Sequence, residues 1–209
     1  EPLFEECYEY ALPMRQSFFH EVAGQRRDDK IFDESAVVGT QEFASRLQAG
    51  LVPNFARWAD FIAGSEIPPE QQDEVNNQLD EVTDYVFEVI QNSNFGQEIH
   101  ESFMDLAVGT GVLLVEEGNA INPVRFNAIP LPSVYLDTGP DDQIDHIYRS
   151  RDIKNASIPI AYPKAVLGEK TLRAISTQPE AKTKILEVIC KNYDNPNEDR
   201  FDFYVVNEP

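Results

Sequence analysis

Positive charge is what this chain has least of. Lysine and arginine number 17 against 37 aspartates and glutamates in 209 residues, a net charge of −20. Not one of them stands between Arg57 and Arg125. Such a surface repels phosphate, which argues against ordinary binding to nucleic acid or to anionic membranes. Cysteine is scarcer still: Cys7 and Cys190 lie far apart in sequence and match no metal or redox spacing. Two incidental thiols in a reducing compartment are the default expectation, with a single long-range disulfide as the alternative. No apolar run approaches the roughly 20 residues needed to span a bilayer, so no transmembrane helix is expected. The opening residues are acidic and lack the basic start and small-residue cleavage site of a signal peptide. The chain begins without Met and stops just after what reads as a strand, so we expect a piece of a longer protein.

What is present suffices for a folded core: 42% of the residues are hydrophobic and the aromatics are scattered along the chain. Residues 3–20 read as a helix interrupted at Pro13, with Phe4, Cys7, Tyr8 and Ala11 on one side. From Asp33 onward Phe43, Leu47 and Leu51 recur at four-residue spacing, a second amphipathic helix for which Asp33 or Ser35 is the expected N-cap. Gly50 and Pro53 break that pattern, and Trp58 and Phe61 follow the break as aromatic anchors. Residues 70–92 give the strongest helix. Val75, Leu79, Val82, Val86, Val89 and Ile90 form its expected apolar stripe, and Asp73, Glu74, Asp80, Glu81, Asp84 and Glu88 hold the other side. No lysine or arginine stands four residues from these acids, so they are expected to be solvated and not paired on the helix. A further helix, Gln97 to Val108, should turn Ile99, Phe103, Leu106 and Ala107 inward.

The second half changes period. Val112–Val115, Val124–Ile129, Val134–Leu136 and Ile144–Arg151 read as strands, as do Lys184–Tyr193 and Phe201–Val206, a hairpin about the turn Asp194–Glu198. Short helices are expected at Pro159–Leu167 and Thr171–Ser176. Helices first and strands second give an α+β fold: amphipathic N-terminal helices followed by a mostly antiparallel sheet. The acids also divide unevenly, with 24 against 6 bases in residues 1–117 and 13 against 11 in residues 118–209.

Chemistry-bearing motifs are mostly missing. Gly109-Thr-Gly111 lacks the third glycine of GxGxxG and leads from helix to strand, the reverse of a phosphate-binding turn. The two glycines are expected to serve a tight turn instead. His100-Glu101 begins like HExxH, but Met104 stands where the second zinc ligand belongs. His20, His100 and His146 are too dispersed to suggest a cluster. Adjacent carboxylates such as Glu116-Glu117 and Asp141-Asp142 arise by chance among 37 acids. No catalytic residue, metal ligand or cofactor is therefore assigned, and a non-catalytic protein is favoured.

Taken in order, the segments resemble the head-to-tail connector, or portal, proteins of short-tailed bacteriophages. Tyr10-Ala-Leu-Pro-Met-Arg15 is similar to that family's opening Y-x-L-P-x-R segment. Phe32-Asp-Glu-Ser35, Ala44-Ser-Arg-Leu-Gln-Ala-Gly-Leu51, Pro53 and Trp58 resemble its next block, although the family's loop is richer in proline. Asn92-Ser-Asn-Phe95, Phe103-Met-Asp-Leu-Ala-Val-Gly-Thr-Gly111 and Leu113-Leu-Val-Glu-Glu117 continue the series. So do Phe126-Asn-Ala-Ile-Pro-Leu131, Tyr135 and Tyr148-Arg-Ser-Arg151. The resemblance covers roughly residues 8–155 and fades after Lys170.

The resemblance implies a structural portal protein: a dodecameric ring at one capsid vertex through which a terminase motor drives double-stranded DNA, and which later holds the tail adaptor. It implies residence in the virion at the portal vertex, assembly in the host cytoplasm, and no membrane. Residues 1–170 would be a wing-like helical and sheet region, and residues 171–209 the start of a further β-hairpin segment. The acidic face of residues 70–92 would then line the channel or form the solvated outside of the ring. Arg26, Arg27, Arg149 and Arg151 are candidates for contacts between subunits, and Trp58, Gly109 and Gly111 for structural roles. Two alternatives stand beside this reading. One is a hydrolase or transferase domain with an unrecognised carboxylate site, the other a monomeric acidic adaptor gripping a basic partner.

Overall fold

The computed structural model describes residues 2–15, 31–194 and 200–207. The chain divides into two compact units, residues 1–131 and residues 132–209. Among the described residues the first holds four helices and a strand pair: α1 (Pro2–Ala11), α2 (Ser35–Leu51), α3 (Pro69–Asn92), α4 (Phe95–Leu106), β1 (Val112–Glu117) and β2 (Val124–Ile129). The second holds β3 (Val134–Thr138), β4 (Ile144–Lys154), α5 (Ile158–Ala161), α6 (Glu169–Thr177), β5 (Lys182–Asn192) and β6 (Arg200–Asn207). Every strand pairing is antiparallel. The fold is α+β with helices leading, as the periodicity predicts, but the strands form two sheets instead of one: a β1-β2 pair and a four-stranded β3-β4-β5-β6.

Helix α1 stops at Ala11, short of the expected span, because Pro13 disfavours helical backbone at Leu12. Tyr8 of α1 and Leu12 just beyond it are buried with Leu131, and Ala11, Met104 and Val108 pack against them. In α2 the residue at the cap is Glu34; Asp33 instead takes the Ser35 amide at 2.6 Å just outside the helix. The buried face of α2 is Thr40 and Ala44, while Phe43 and Leu51 of the expected stripe are exposed.

The largest correction concerns α3. At about 100° per residue, the buried Thr83 and Phe87 share a line with Gln72, Asn76, Leu79 and Ile90. The expected valine stripe lies to one side of that line, and Val82 is exposed. The reason is what α3 packs against. Residues 53–68 form a strap, with turns at 54–56 and 65–67, that runs antiparallel to the helix. Phe61 donates its amide to Thr83 Oγ1 at 3.3 Å, Ala63 donates to Asn76 Oδ1 at 2.8 Å, and Gln72 Nε2 donates to the Ile67 carbonyl at 3.0 Å. Backbone amides and carbonyls turned toward the helix need polar partners, so polar side chains occupy the packed face.

Helix α4 repeats the lesson. Its buried residues are Ser102 and Asp105, and Leu106 and Ala107 face outward against expectation. Its first turn closes the edge of β2: the Asn94 side chain exchanges hydrogen bonds with the Phe126 amide (2.9 Å) and carbonyl (2.7 Å), and Glu98 accepts the Ala128 amide at 2.7 Å. Two side chains four residues apart thus substitute for a third strand.

In the second unit, Ile153, Ile158 and Ile185 form the core, with Tyr162, Leu167 and Val205 against them. The expected helix at Pro159–Leu167 is only the four-residue α5, since Pro163 follows closely. Asn155, buried in a short 3₁₀ turn, donates its side-chain amide to the Gln178 carbonyl at 2.8 Å and its backbone amide to Ala181 at 2.9 Å, tying down the β4-to-β5 connection.

Candidate functional site

All six acids singled out on α3 are exposed, and they fall into two rows. Asp73, Asp80 and Asp84 lie about a quarter-turn from the buried line, whereas Glu74, Glu81 and Glu88 point directly away from it. Among the described residues none of these acids is paired along the helix, but Asp80 and Asp84 are paired from the strap. Arg57, on the strap, donates to Asp80 at 3.0 Å and Asp84 at 2.9 Å, and is also hydrogen-bonded to Asp60. These carboxylates hold the guanidinium charged well above its ordinary pKa. Arg57 sits 23 and 27 positions from its partners, outside any helical spacing rule, so sequence reasoning had no signal for it. The glutamate row has no ion-pair partner among the described residues, and it is the strongest uncompensated negative face of the helix.

Beside Arg57, Trp58 joins a run of four rings. It meets Phe87 of α3 edge-on at 5.2 Å and stacks on Phe95 of α4 at 6.0 Å, and Phe95 meets Phe126 of β2 edge-on at 5.0 Å. Such pairs contribute about 0.5–1.5 kcal/mol each beyond the area they bury. Gln48 of α2 ties the same region, donating to the Gly96 carbonyl at 2.8 Å and meeting His100 Nδ1 at 3.1 Å. His100 therefore has a polar partner within the fold.

The glycines at 109 and 111 are explained by space. A Cβ on Gly111 would stand 2.6 Å from the Ser102 carbonyl oxygen, and one on Gly109 would stand 3.0 Å from Leu131 and 3.2 Å from Phe4. Neither adopts left-handed backbone, so close approach and not a positive φ requires them: Gly111 lies against Ser102 of α4, Gly109 against Leu131 and Phe4.

A buried polar network lies under α4. Asp105, fully buried, accepts the Tyr8 hydroxyl on Oδ1; its Oδ2 lies 3.7 Å from Arg15 and accepts no hydrogen bond from the described residues. Arg15 also binds the Glu101 carbonyl and carboxylate, each at 2.6 Å. Burial raises the Asp105 pKa, partly offset by the Tyr8 hydrogen bond and Arg15; burial and Asp105 raise that of Tyr8. Asp105 stands in the segment Phe103–Gly111 that carries the resemblance, but hydrophobic periodicity alone gives no sign that it is buried.

Arg149 and Arg151 share a face of β4 and converge on Glu187 of β5, at 3.2 and 3.4 Å, where Tyr162 also donates. The Tyr162 hydroxyl is pushed up to about 12 by burial and by this carboxylate. Both arginines thus have an internal partner that the sequence reading did not foresee. Arg26 and Arg27 lie outside the described residues, as does His20. His146 meets Asp145 at 2.6 Å. Cys7 and Cys190 are free thiols. Among the described residues no helix is long and apolar enough to cross a membrane, and no group of three or more His, Cys, Asp or Glu is placed to hold a metal ion.

No curated protein matches the chain. One family model does, that of the bacteriophage head to tail connecting protein, and it covers residues 1–208. The match runs well past residue 155, where the resemblance read from the motifs ends, and takes in the whole β4-β5-β6 sheet. The chain therefore belongs to the bacteriophage head-to-tail connecting proteins, structural components of the virion that join capsid to tail.

Proposed function

We propose that the chain builds part of a dodecameric portal ring at one vertex of a short-tailed phage capsid, a conduit for double-stranded DNA during packaging and ejection. The ring docks the terminase motor and then the tail adaptor, assembles in the host cytoplasm, and acts structurally without turnover. Membership of the connector family supports the setting, and the glutamate row of α3 supports the conduit. A wall that must let a duplex slide cannot neutralise its phosphates, because each neutralising contact releases counterions and adds affinity that has to be broken again. Glu74, Glu81 and Glu88 are the outward face that satisfies this, whereas Asp80 and Asp84 are already partly compensated by Arg57. We assign the glutamate row to the channel side.

The test replaces Glu74, Glu81 and Glu88 together by lysine in the full-length protein, with ring formation checked by electron microscopy and native mass. Packaged DNA per ring should fall sharply while rings stay intact. Intact rings that package normally refute the channel assignment, and a persistent monomer under varied salt and concentration refutes the ring.

A further inference from the structure

Strand β6 is built like an interior strand, yet among the described residues it lies at the edge of its sheet. Phe201, Phe203 and Val205 alternate on one side, Tyr204 and Val206 on the other, and all but Val205 are about half exposed (49–56%). Strands apolar on both faces are those covered on both faces. Exposed edges are ordinarily blunted by lysine, proline, a bulge or a covering element. β6 carries no lysine or proline, its two charges, Arg200 and Asp202, stand together at its start and face each other at 3.7 Å, and its register with β5 is unbroken over eight pairs. The contrast lies within the same chain, where the β2 edge is closed by Asn94 and Glu98.

We propose that β6 pairs with β3 of a second copy of this chain, so that neighbouring subunits share one continuous antiparallel sheet. The inference rests on the ring reading above. A closed ring needs two different surfaces on each subunit, and the two edges of this sheet differ. The order β3-β4-β5-β6 is antiparallel throughout, so β3 and β6 run in opposite directions and an added β3 continues the alternation. β3 also presents half-exposed apolar side chains, Tyr135 at 49% and Leu136 at 37%. Tyr135 heads a row, Tyr135–Tyr148–Val188–Tyr204, that crosses all four strands and would run on into the next copy. Charge points to the same unit. Residues 1–131 carry 24 acids and 7 bases, residues 132–209 carry 13 and 10, so copies meet with least repulsion through the second unit. Opposed residues share a side of the sheet, which sets Tyr135 against Tyr204 or Val206. The pairing with Val206 keeps Asp137 of one copy from facing Asp202 of the next.

The experiment uses full-length protein with Cys7 and Cys190 changed to serine. Tyr135→Cys is combined in turn with Val206→Cys and Tyr204→Cys, and assemblies are oxidised mildly and run on a denaturing gel. The expected result is a ladder of covalent oligomers from Tyr135→Cys with Val206→Cys, and monomer from each single variant. Val206→Lys, at an exposed site, should weaken self-association at least tenfold with unchanged circular dichroism. A covalent dimer from Val206→Cys or Tyr204→Cys alone means symmetric β6–β6 pairing and overturns the proposal. Intact rings with no cross-link from either pair overturn it while leaving the ring reading standing. A monomer under every condition overturns both.

Discussion

Replacing Tyr8 by phenylalanine removes one hydroxyl and leaves the shape of the core alone. That hydroxyl donates to Asp105, whose other oxygen already accepts no hydrogen bond from the described residues. A hydrogen bond to a charged group contributes about 1.5–3 kcal/mol, so a loss of about 2 kcal/mol is expected at pH 8. The cost must depend on pH in a definite direction. The folded-state pKa of Asp105 is raised, so the native protein takes up its proton before the unfolded chain does. For this group stability is greatest in acid, declines as pH rises from the unfolded value through the folded one, and is constant above it. The Tyr8 bond lowers that pKa, so Tyr8→Phe raises it further and extends the decline to higher pH. The difference between variant and parent should shrink to about 1 kcal/mol below pH 4, where the carboxyl is neutral and only an uncharged hydrogen bond is lost. Urea unfolding followed by fluorescence reads this directly, because Trp58 is the only tryptophan and stands in the same unit. At 1–3 kcal/mol per molar urea, 2 kcal/mol moves the midpoint by about 1 M. A destabilisation that is the same at about pH 3 and at pH 8, or none at pH 8, refutes the account.

Other expectations follow from the same packing. Gly111→Ala forces a methyl against the Ser102 carbonyl and should cost about 3 kcal/mol, lowering the melting temperature. Gly39→Ala, in open space on α2, should raise stability by about 0.5–1 kcal/mol. Glu187→Gln strips Arg149 and Arg151 of their shared carboxylate; with Arg151 about one-third exposed, the loss should be about 2–3 kcal/mol in thermal unfolding. The same change should let the Tyr162 hydroxyl titrate below about 12, visible as earlier tyrosinate absorbance.

Element positions were largely legible from the sequence. The bounds of α2 follow from its period and Pro53, and β2 and the β5–β6 hairpin fall where alternation places them. What was not legible is which faces are buried, and the reason is consistent. Hydrophobic periodicity locates the apolar side of a helix, yet α3 and α4 pack against backbone. Thr83, Asn76 and Gln72 on α3, and Asn94 and Glu98 on α4, face inward because amides and carbonyls of the strap and of β2 require partners there. Leu106 and Val82 are exposed for the complementary reason. Arg57 and Glu187 were missed because their partners come from other elements, at separations no local pattern records.

The strap along α3 constrains how this family of chains can change length. Between Phe61 and Ile67 the strap is pinned at three points and ends in a turn closed by the Ile67 amide on the Gly64 carbonyl at 3.1 Å, while from Thr83 back to Gln72 the helix rises about 16 Å. Insertion of a residue in the strap between two pinned amides can bulge outward and leave both pins in place. Removal of one residue from α3 between Asn76 and Thr83 cannot be absorbed so simply, since it turns everything beyond it by about 100°. That turn would carry Asn76 and Gln72 away from the strap and swing the acidic rows with them. Indels are thus tolerated on one partner of this pairing and forbidden on the other. Drift in length should collect in residues 53–68, while α3 keeps its count.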